Sequence, residues 1–335
     1  MKRPTSIDLF AGCGGLTLGF EMAGFECIAC NEIDKNACDT LRANRPSCNL
    51  IDGDICLVNF KEFKGEADIV TGGFPCQSFS SAGKRLGLDD IRGTMFYQFA
   101  RAIDEIRPRM AIGENVRGLL SHDNGKTLET MLSVLNSIGY RVEQPHLLKA
   151  VDYDVPQKRE RLFIVAIRKD LDIQFKPPQK STKKWTLRDA LRSGELFATD
   201  VPSSAGSKYP ESRRNVLDMV PPGGCWRNLP LDIQKSYMKG CFYNDGGKTG
   251  IARRLSWDEP SLTLLCSPIQ KQTERCHPDE TRPLTVREYA RIQTFPDSYT
   301  FCGPNSSQYK QIGNAVPVNL AMAVGKAVAS ALGVF

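Results

Sequence analysis

The feature that most narrows the possible folds is an apolar run stopping at a double glycine, Asp68-Ile69-Val70-Thr71-Gly72-Gly73-Phe74-Pro75-Cys76-Gln77-Ser78-Phe79-Ser80. Such a run reads as a buried strand handing the chain to a loop at its C-terminal end, where open α/β sheets place their ligands. The glycines let backbone come close to a ligand and Pro75 fixes its own φ, so Cys76 is held stiffly in that loop. A free cysteine is ordinarily a small buried hydrophobe. The loop-forming and polar neighbours of Cys76 argue instead for a thiol presented to a reactant.

A related pattern opens the chain. Thr5-Ser6-Ile7-Asp8-Leu9-Phe10 reads as a short buried strand, Ala11-Gly12-Cys13-Gly14-Gly15 as a glycine loop, and Leu16 to Ala23 as a helix. That succession holds nucleotide-like cofactors. Leu16 and Thr17 stand where the dinucleotide fingerprint needs its last glycine, which points away from a pyrophosphate and toward another adenosine-bearing cofactor. A second strand, Glu26 to Cys30, leads to Glu32, which lies 20 residues after Gly12, about where an acid meets a ribose diol in such folds. Asp54, in Gly53-Asp54-Ile55, is set to accept from an adenine amino group.

Further along, a helix carries Met95, Phe96, Phe99, Ile103 and Ile106 on one face and stops before Pro108. The next strand, from Arg109 to Gly113, delivers Glu114-Asn115-Val116 to the sheet end that holds Cys76, pairing a carboxyl with a thiol. An amphipathic helix spans about 127 to 138 and is stopped by Gly139. Arg159 and Arg161 precede the strand Leu162 to Ile167, and in extended chain they point the same way as a two-guanidinium face.

Between Arg168 and Glu280 periodicity fades, and Pro, Gly and basic pairs appear among Trp185, Trp226 and Trp257. That segment holds 19 Lys and Arg against 14 Asp and Glu, so it carries most of the net charge of +6 and suits a polyanion. Regular structure returns with a capping box at Thr285-Val286-Arg287-Glu288, opening a helix through Thr294, and a last helix follows Pro317 to Leu332. The 12 cysteines are irregularly spaced in a chain of 335 residues and read as reduced thiols. Cys27 and Cys30, three apart on a strand, should face opposite sides, and His122, His146 and His277 are not at ligand spacing, so no metal site is expected. No stretch is expected to span a membrane, and Asp8 breaks any signal-peptide core, which makes the expected location cytoplasmic.

Taken together, Asp8-Leu9-Phe10-Ala11-Gly12-Cys13-Gly14-Gly15, Gly73-Phe74-Pro75-Cys76-Gln77, Glu114-Asn115-Val116, Gln157-Lys158-Arg159-Glu160-Arg161, Arg287-Glu288-Tyr289-Ala290-Arg291 and Gly313-Asn314-Ala315-Val316 resemble, in order, the motifs of the DNA (cytosine-5)-methyltransferases, closest to the enzymes of bacterial restriction-modification systems. The resemblance implies a Rossmann-like α/β fold with a seven-stranded sheet, residues 1–167 plus 314–335 forming the catalytic domain and 168–313 the smaller, loop-rich target-recognition domain. It implies S-adenosyl-L-methionine as cofactor, held by Phe10, Ala11, Gly12, Gly14, Gly15, Leu16, Glu32, Ile33, Asp54, Ile55, Pro75, Met95, Asn314 and Ala315. Cys76 is then the nucleophile, Glu114 the partner of the base N3 edge, Arg161 the ligand of its O2, and Arg159 a second cation favouring the thiolate. Double-stranded DNA is the implied partner of a monomer, with Trp185, Trp226, Trp257, Arg253, Arg254, Gln270 and Gln272 as candidate readers. The competing readings are a tRNA cytosine-5 methyltransferase and a non-catalytic methyltransferase-like DNA-binding protein.

Overall fold

The computed structural model describes residues 3–75, 94–243 and 249–334, so Cys76 and the rest of its loop lie outside the described residues. The chain forms two compact units. The first comprises Met1–Tyr153, Glu160–Lys180 and Val316–Phe335, the second Asp154–Arg159 and Ser181–Ala315. These boundaries differ from those expected at 167 and 314. Residues 154–159 join the second unit because Gln157–Lys158 (strand β8) pairs with Ser261–Leu262 (β10) as a separate two-stranded ladder.

The first unit is built on β1 (Thr5–Leu9), β2 (Glu26–Glu32), β3 (Asn49–Asp52), β4 (Ile69–Gly72), β5 (Met110–Val116), β6 (Tyr140–Val142), β7 (His146–Lys149) and β9 (Glu160–Arg168). The order is β3-β2-β1-β4-β5-β9, with β6 and β7 end to end along the outer side of β9. Eight described strands therefore fill the seven positions expected. The sheet is parallel from β3 to β5 and antiparallel where β9 enters. Strand order reverses between β1 and β4, and at such a switch point the two connections leave a crevice at the C-terminal edge.

Burial explains the strands. Every residue of β1 and of β4 is buried, as a parallel sheet covered on both faces requires. Helix Met95–Ile106 is capped by Thr94, whose Oγ1 accepts from Tyr97 N at 3.3 Å, and it buries Phe96, Phe99, Ile103 and Ile106 in the main core with Ile7, Val70 and Ile164. The C-terminal helix Val318–Leu332 crosses helix Gly15–Met22 at close range. A Cβ on Gly19 would overlap the Ala321 methyl and come within 2.7 Å of the Val318 carbonyl, and one on Gly325 would lie 2.7 Å from Ala23 Cβ.

Residues 305–332 are long and apolar enough, by length and composition, to cross a membrane, which the sequence reading overlooked. The segment is two helices, Asn305–Asn314 and Val318–Leu332, interrupted at Pro317. The second of these is packed on Gly15–Met22, so the apolar run is accounted for by helix contact. The helix opened by Thr285 ends at Ile292, not Thr294, because Thr294 takes a left-handed φ of 60°.

A second correction concerns β2. Its pairing with β1 slips between Ser6 and Ile7, so that Ser6 faces Cys27 but Ile7 faces Ala29. The extra residue, Ile28, cancels the alternation expected of a strand. Cys27 and Cys30 consequently lie on the same side, with their sulfurs 3.4 Å apart.

In the sheet interior, Asp8 accepts hydrogen bonds from Thr17 Oγ1 at 2.5 Å and Thr71 Oγ1 at 2.6 Å. Burial pushes its carboxyl up to about 6 against the pull of those hydroxyls. The folded chain holds this proton more tightly than the unfolded chain does. Ionisation of Asp8 therefore opposes folding by an amount that is absent below about pH 4 and reaches about 3 kcal/mol above about pH 6. Asp8→Asn should remove this component, so that its melting temperature drops less between about pH 4 and 6.5 than the parent's; parallel curves would show that Asp8 contributes nothing. Gly19→Ala should cost about 1–3 kcal/mol in urea unfolding through overpacking at the helix crossing. An unchanged midpoint would mean that the crossing relaxes freely.

Candidate active site

At the C-terminal edge of β1 the backbone turns through Phe10 (φ 55°), Gly12 (φ 55°) and Gly14 (φ 80°), all left-handed. Phe10 is the unexpected one, since a side chain there carries steric strain of the kind that collects at ligand sites. The loop is tied to the neighbouring strand by Ala11 N donating to Asn31 O at 3.0 Å and Gly12 N donating to Glu32 Oε2 at 2.7 Å. The other oxygen of Glu32 accepts from Ile33 N at 2.9 Å and Asp34 N at 2.8 Å, fixing the carboxylate at the sheet edge.

Around this carboxylate the donors and surfaces fit an adenosine group. The space beside the Gly12 α-carbon is open. The Ile33 side chain is 68% exposed, which leaves an apolar face next to Glu32. Asp54 is exposed at the end of β3, where Cys56 N donates to its Oδ1 at 2.9 Å and holds its carboxyl below the usual range. Asn31 Nδ2 donates to Ile51 O and Gly53 O and so fastens that turn. Ala11, Gly14, Gly15 and Leu16 are buried beneath the loop, and Ile55 is buried in the main core. Met95 is half-buried and Pro75 exposed. Asn314 and Ala315 belong to the second unit.

The chemical half of the site is built by β4, β5 and β9. Gly72 pairs with Gly113, so the chain leaves β4 alongside Glu114. Asn115 Nδ2 donates to Phe74 O at 2.9 Å, and a Cβ on Gly73 would meet Glu114 Oε2 at 2.9 Å. Phe74 packs edge-on to Phe96 and comes within 3.2 Å of where a Gly113 Cβ would stand. The segment leading to Pro75 is thus tied to β5 by Asn115 and passes close beside the Glu114 carboxyl at Gly73.

Glu114 lies opposite Phe163 in the antiparallel pair, and Arg161 opposite Val116. Two residues apart along β9, Arg161 and Phe163 share a face, which makes Arg161 the diagonal neighbour of Glu114. Arg161 Nε lies 2.8 Å from Glu114 Oε1, with both side chains largely buried. Burial pulls the Arg161 guanidinium below the ordinary arginine range while the Glu114 charge opposes it.

Arg159 and Arg161 meet different partners. The ladder is interrupted at Arg159, whose N donates back to Gln157 O at 3.0 Å in a tight turn. Arg159 is buried in the second unit, donating to the carbonyls of Leu264 at 3.1 Å, Gly313 at 2.8 Å and Ala315 at 3.0 Å. Sequence reasoning missed its companions. Gln157 Nε2 donates to Gln293 Oε1 at 2.8 Å, and Gln293 Nε2 donates to Ile312 O at 2.6 Å and Ala315 O at 3.1 Å. Among the candidate readers, Trp226 is core, Trp185 donates to Asp154, and Arg254 is buried on the carbonyls of Leu217, Val220 and His277. Trp257 donates to Asp279 Oδ1 and stacks edge-on with His277. Gln270 and Gln272 are exposed, and Arg253 half-buried.

The model of the C-5 cytosine-specific DNA methylase family matches residues 5–330. The Escherichia coli Type II methyltransferase M.Eco47II is 60% identical over 326 residues, covering 97% of this chain and 78% of its own length. M.Sau96I of Staphylococcus aureus is 51% identical, covering 98% of this chain and 76% of its own. In fold, the chain is similar to a prophage-encoded Escherichia coli protein described as a DNA modification methyltransferase, with TM-score 0.76, 22% identity, and 98% and 99% of the two chains covered. A family model spanning nearly the whole sequence, together with relatives of this identity, makes the chain a member of the C-5 cytosine-specific DNA methylase family, a DNA (cytosine-5)-methyltransferase of the Type II restriction-modification kind.

Proposed function

We propose that the chain transfers a methyl group from S-adenosyl-L-methionine to C5 of a cytosine turned out of a specific short duplex DNA sequence, through a transient bond between Cys76 Sγ and C6. In the cell this would shield the DNA from a cognate restriction endonuclease. The observation that carries the reading is the buried Glu114–Arg161 pair, packed against the loop whose next residues are Pro75 and Cys76. Cytosine C5 is a weak nucleophile, and addition of a thiolate at C6 makes the ring electron-rich. Negative charge then builds toward N3 and O2. Glu114 carries a proton to N3, and Arg161, already oriented by Glu114, meets O2. When bound, S-adenosyl-L-methionine supplies an electrophilic methyl on a sulfonium. Gly12, Glu32, Ile33 and Asp54 would hold its adenosine part. After C5 has taken the methyl, the N3 proton returns to Glu114, the C5 proton leaves to solvent, the C6–S bond breaks, and the thiolate is restored.

A base stacked in a duplex cannot meet a thiol and a buried carboxyl together, so it must be flipped out at a cost of a few kcal/mol. The basic, loop-rich segment 168–313 would recover that cost through phosphate and groove contacts. Arg159 acts at one remove in this reading, by fixing the Gly313–Ala315 turn that carries Asn314. The match to the C-5 cytosine-specific DNA methylase family over residues 5–330 supports DNA over tRNA as substrate.

Cys76→Ser should abolish methyl transfer to duplex DNA and form no covalent adduct with a 5-fluorocytosine duplex in the presence of methyl donor; near-normal turnover would remove the mechanism. Glu114→Gln should lower kcat by about 10²–10⁴-fold while duplex binding persists, since general-acid help is worth about that much. Loss of binding with kcat intact would instead make Glu114 a docking residue.

A further inference from the structure

The bulge in β2 brings together three sulfurs that the reaction does not use. Cys27, Cys30 and Cys48 have Sγ separations of 3.4, 3.7 and 4.0 Å, with no disulfide among them. Cys30 is buried, whereas Cys27 and Cys48 are half-buried. Cys48 stands immediately before β3, at the point where β3 begins to pair with β2 at Ala29. Strand β2 and the loop that leads from helix Lys35–Asn44 into β3 thus converge on one triangle of thiols.

The dimensions of the triangle are informative. A circle through the three sulfurs has a radius of about 2.2 Å, so an ion about 2.3 Å from each would sit roughly 0.8 Å out of their plane. That height is one third of the bond length, as in a tetrahedron with a fourth corner left open. A set of three sulfur ligands selects soft cations over magnesium or calcium. Among the described residues no further His, Cys, Asp or Glu joins the group, which leaves the fourth corner to water or another small ligand.

We propose that Cys27, Cys30 and Cys48 form a three-thiolate site for one zinc ion, which ties β3, the short edge strand of the sheet, to β2. The tie lies next to the cofactor end of β2, because Cys30 is followed directly by Asn31 and Glu32, whose side chains hold the Gly53 and Gly12 turns. Zinc binding would release the thiol protons and stabilise this edge without entering the methyl-transfer step.

The test is made on the full-length protein, purified without chelator, by elemental analysis and peptide-mapped alkylation. About one zinc per chain is expected, lost in Cys27→Ser and Cys48→Ser but kept in Cys241→Ser, an exposed thiol of the other unit. Cobalt(II) added to chelator-stripped protein should give the intense visible bands and sulfur-to-metal charge transfer of a sulfur-rich tetrahedral site. Should the serine variants fail to fold, the parent still decides. Zinc must slow alkylation of Cys27 and Cys48, and a chelator must restore it. Absence of retained or titratable zinc, or a disulfide among the three found by mass mapping, would overturn the site.

Discussion

The constraint on which the candidate site depends is the close approach of a glycine to a carboxylate. Gly73 has no Cβ, and the place a Cβ would take lies 2.9 Å from Glu114 Oε2. Because Gly72 and Gly113 are paired, β4 and β5 leave the sheet side by side, and a glycine at 73 lets the departing chain pass the carboxyl without displacing it. The same contact fixes Glu114 against Arg161, since a carboxylate displaced by a side chain at 73 would leave a buried guanidinium without its ion pair, a change that costs several kcal/mol. Sheet register, the approach to the loop that begins at Pro75 and the orientation of Glu114 are therefore one arrangement.

Much of that arrangement could be read from the chain because it depends on local patterns. Apolar runs ending in glycine mark the parallel strands, and the acids Glu32 and Glu114 fall where those strands end. What could not be read depends on a neighbour. The bulge that turns Cys27 and Cys30 to one side is set by how β2 registers against β1, and no residue at Ile28 announces it. Arg159 and Arg161 look like a pair in an extended segment, yet the chain breaks its ladder between them and each side chain meets different partners. The diagonal approach of Arg161 to Glu114 needs the antiparallel pairing of β9 with β5, which only the sheet reveals.

The second unit shows why counting charges overstates its free basic surface. Its described strands form one two-residue ladder, so much of its backbone lies outside any strand. A guanidinium carries five donors in a fixed fork and can satisfy several carbonyls at once. Arg159, Arg254 and Arg291 do this. Arg254 reaches Leu217, Val220 and His277, and Arg291 reaches the Thr199 carbonyl while pairing with Asp297. Each such arginine counts as basic in the sequence yet serves as internal scaffold. The surplus available to a polyanion comes from the exposed lysines and arginines that remain.

Unfavourable features gather in the β1-to-β3 half of the first unit's sheet. Phe10 is held left-handed just beyond β1, Asp8 is buried where ionisation opposes folding, and β3 at the sheet margin is only four residues long. Residues held in this way persist only where surrounding packing over-determines them. The packing comes from the far end of the chain. Helix Val318–Leu332 lies so close to Gly15–Met22, the helix that follows the Phe10 loop, that Gly19 and Gly325 have no room for a methyl. That crossing fixes the helix into which the strained loop runs. Tension in the Phe10 loop and tight packing behind it are thus two ends of the same strand-loop-helix unit, and loosening the packing would let the loop relax out of its left-handed shape.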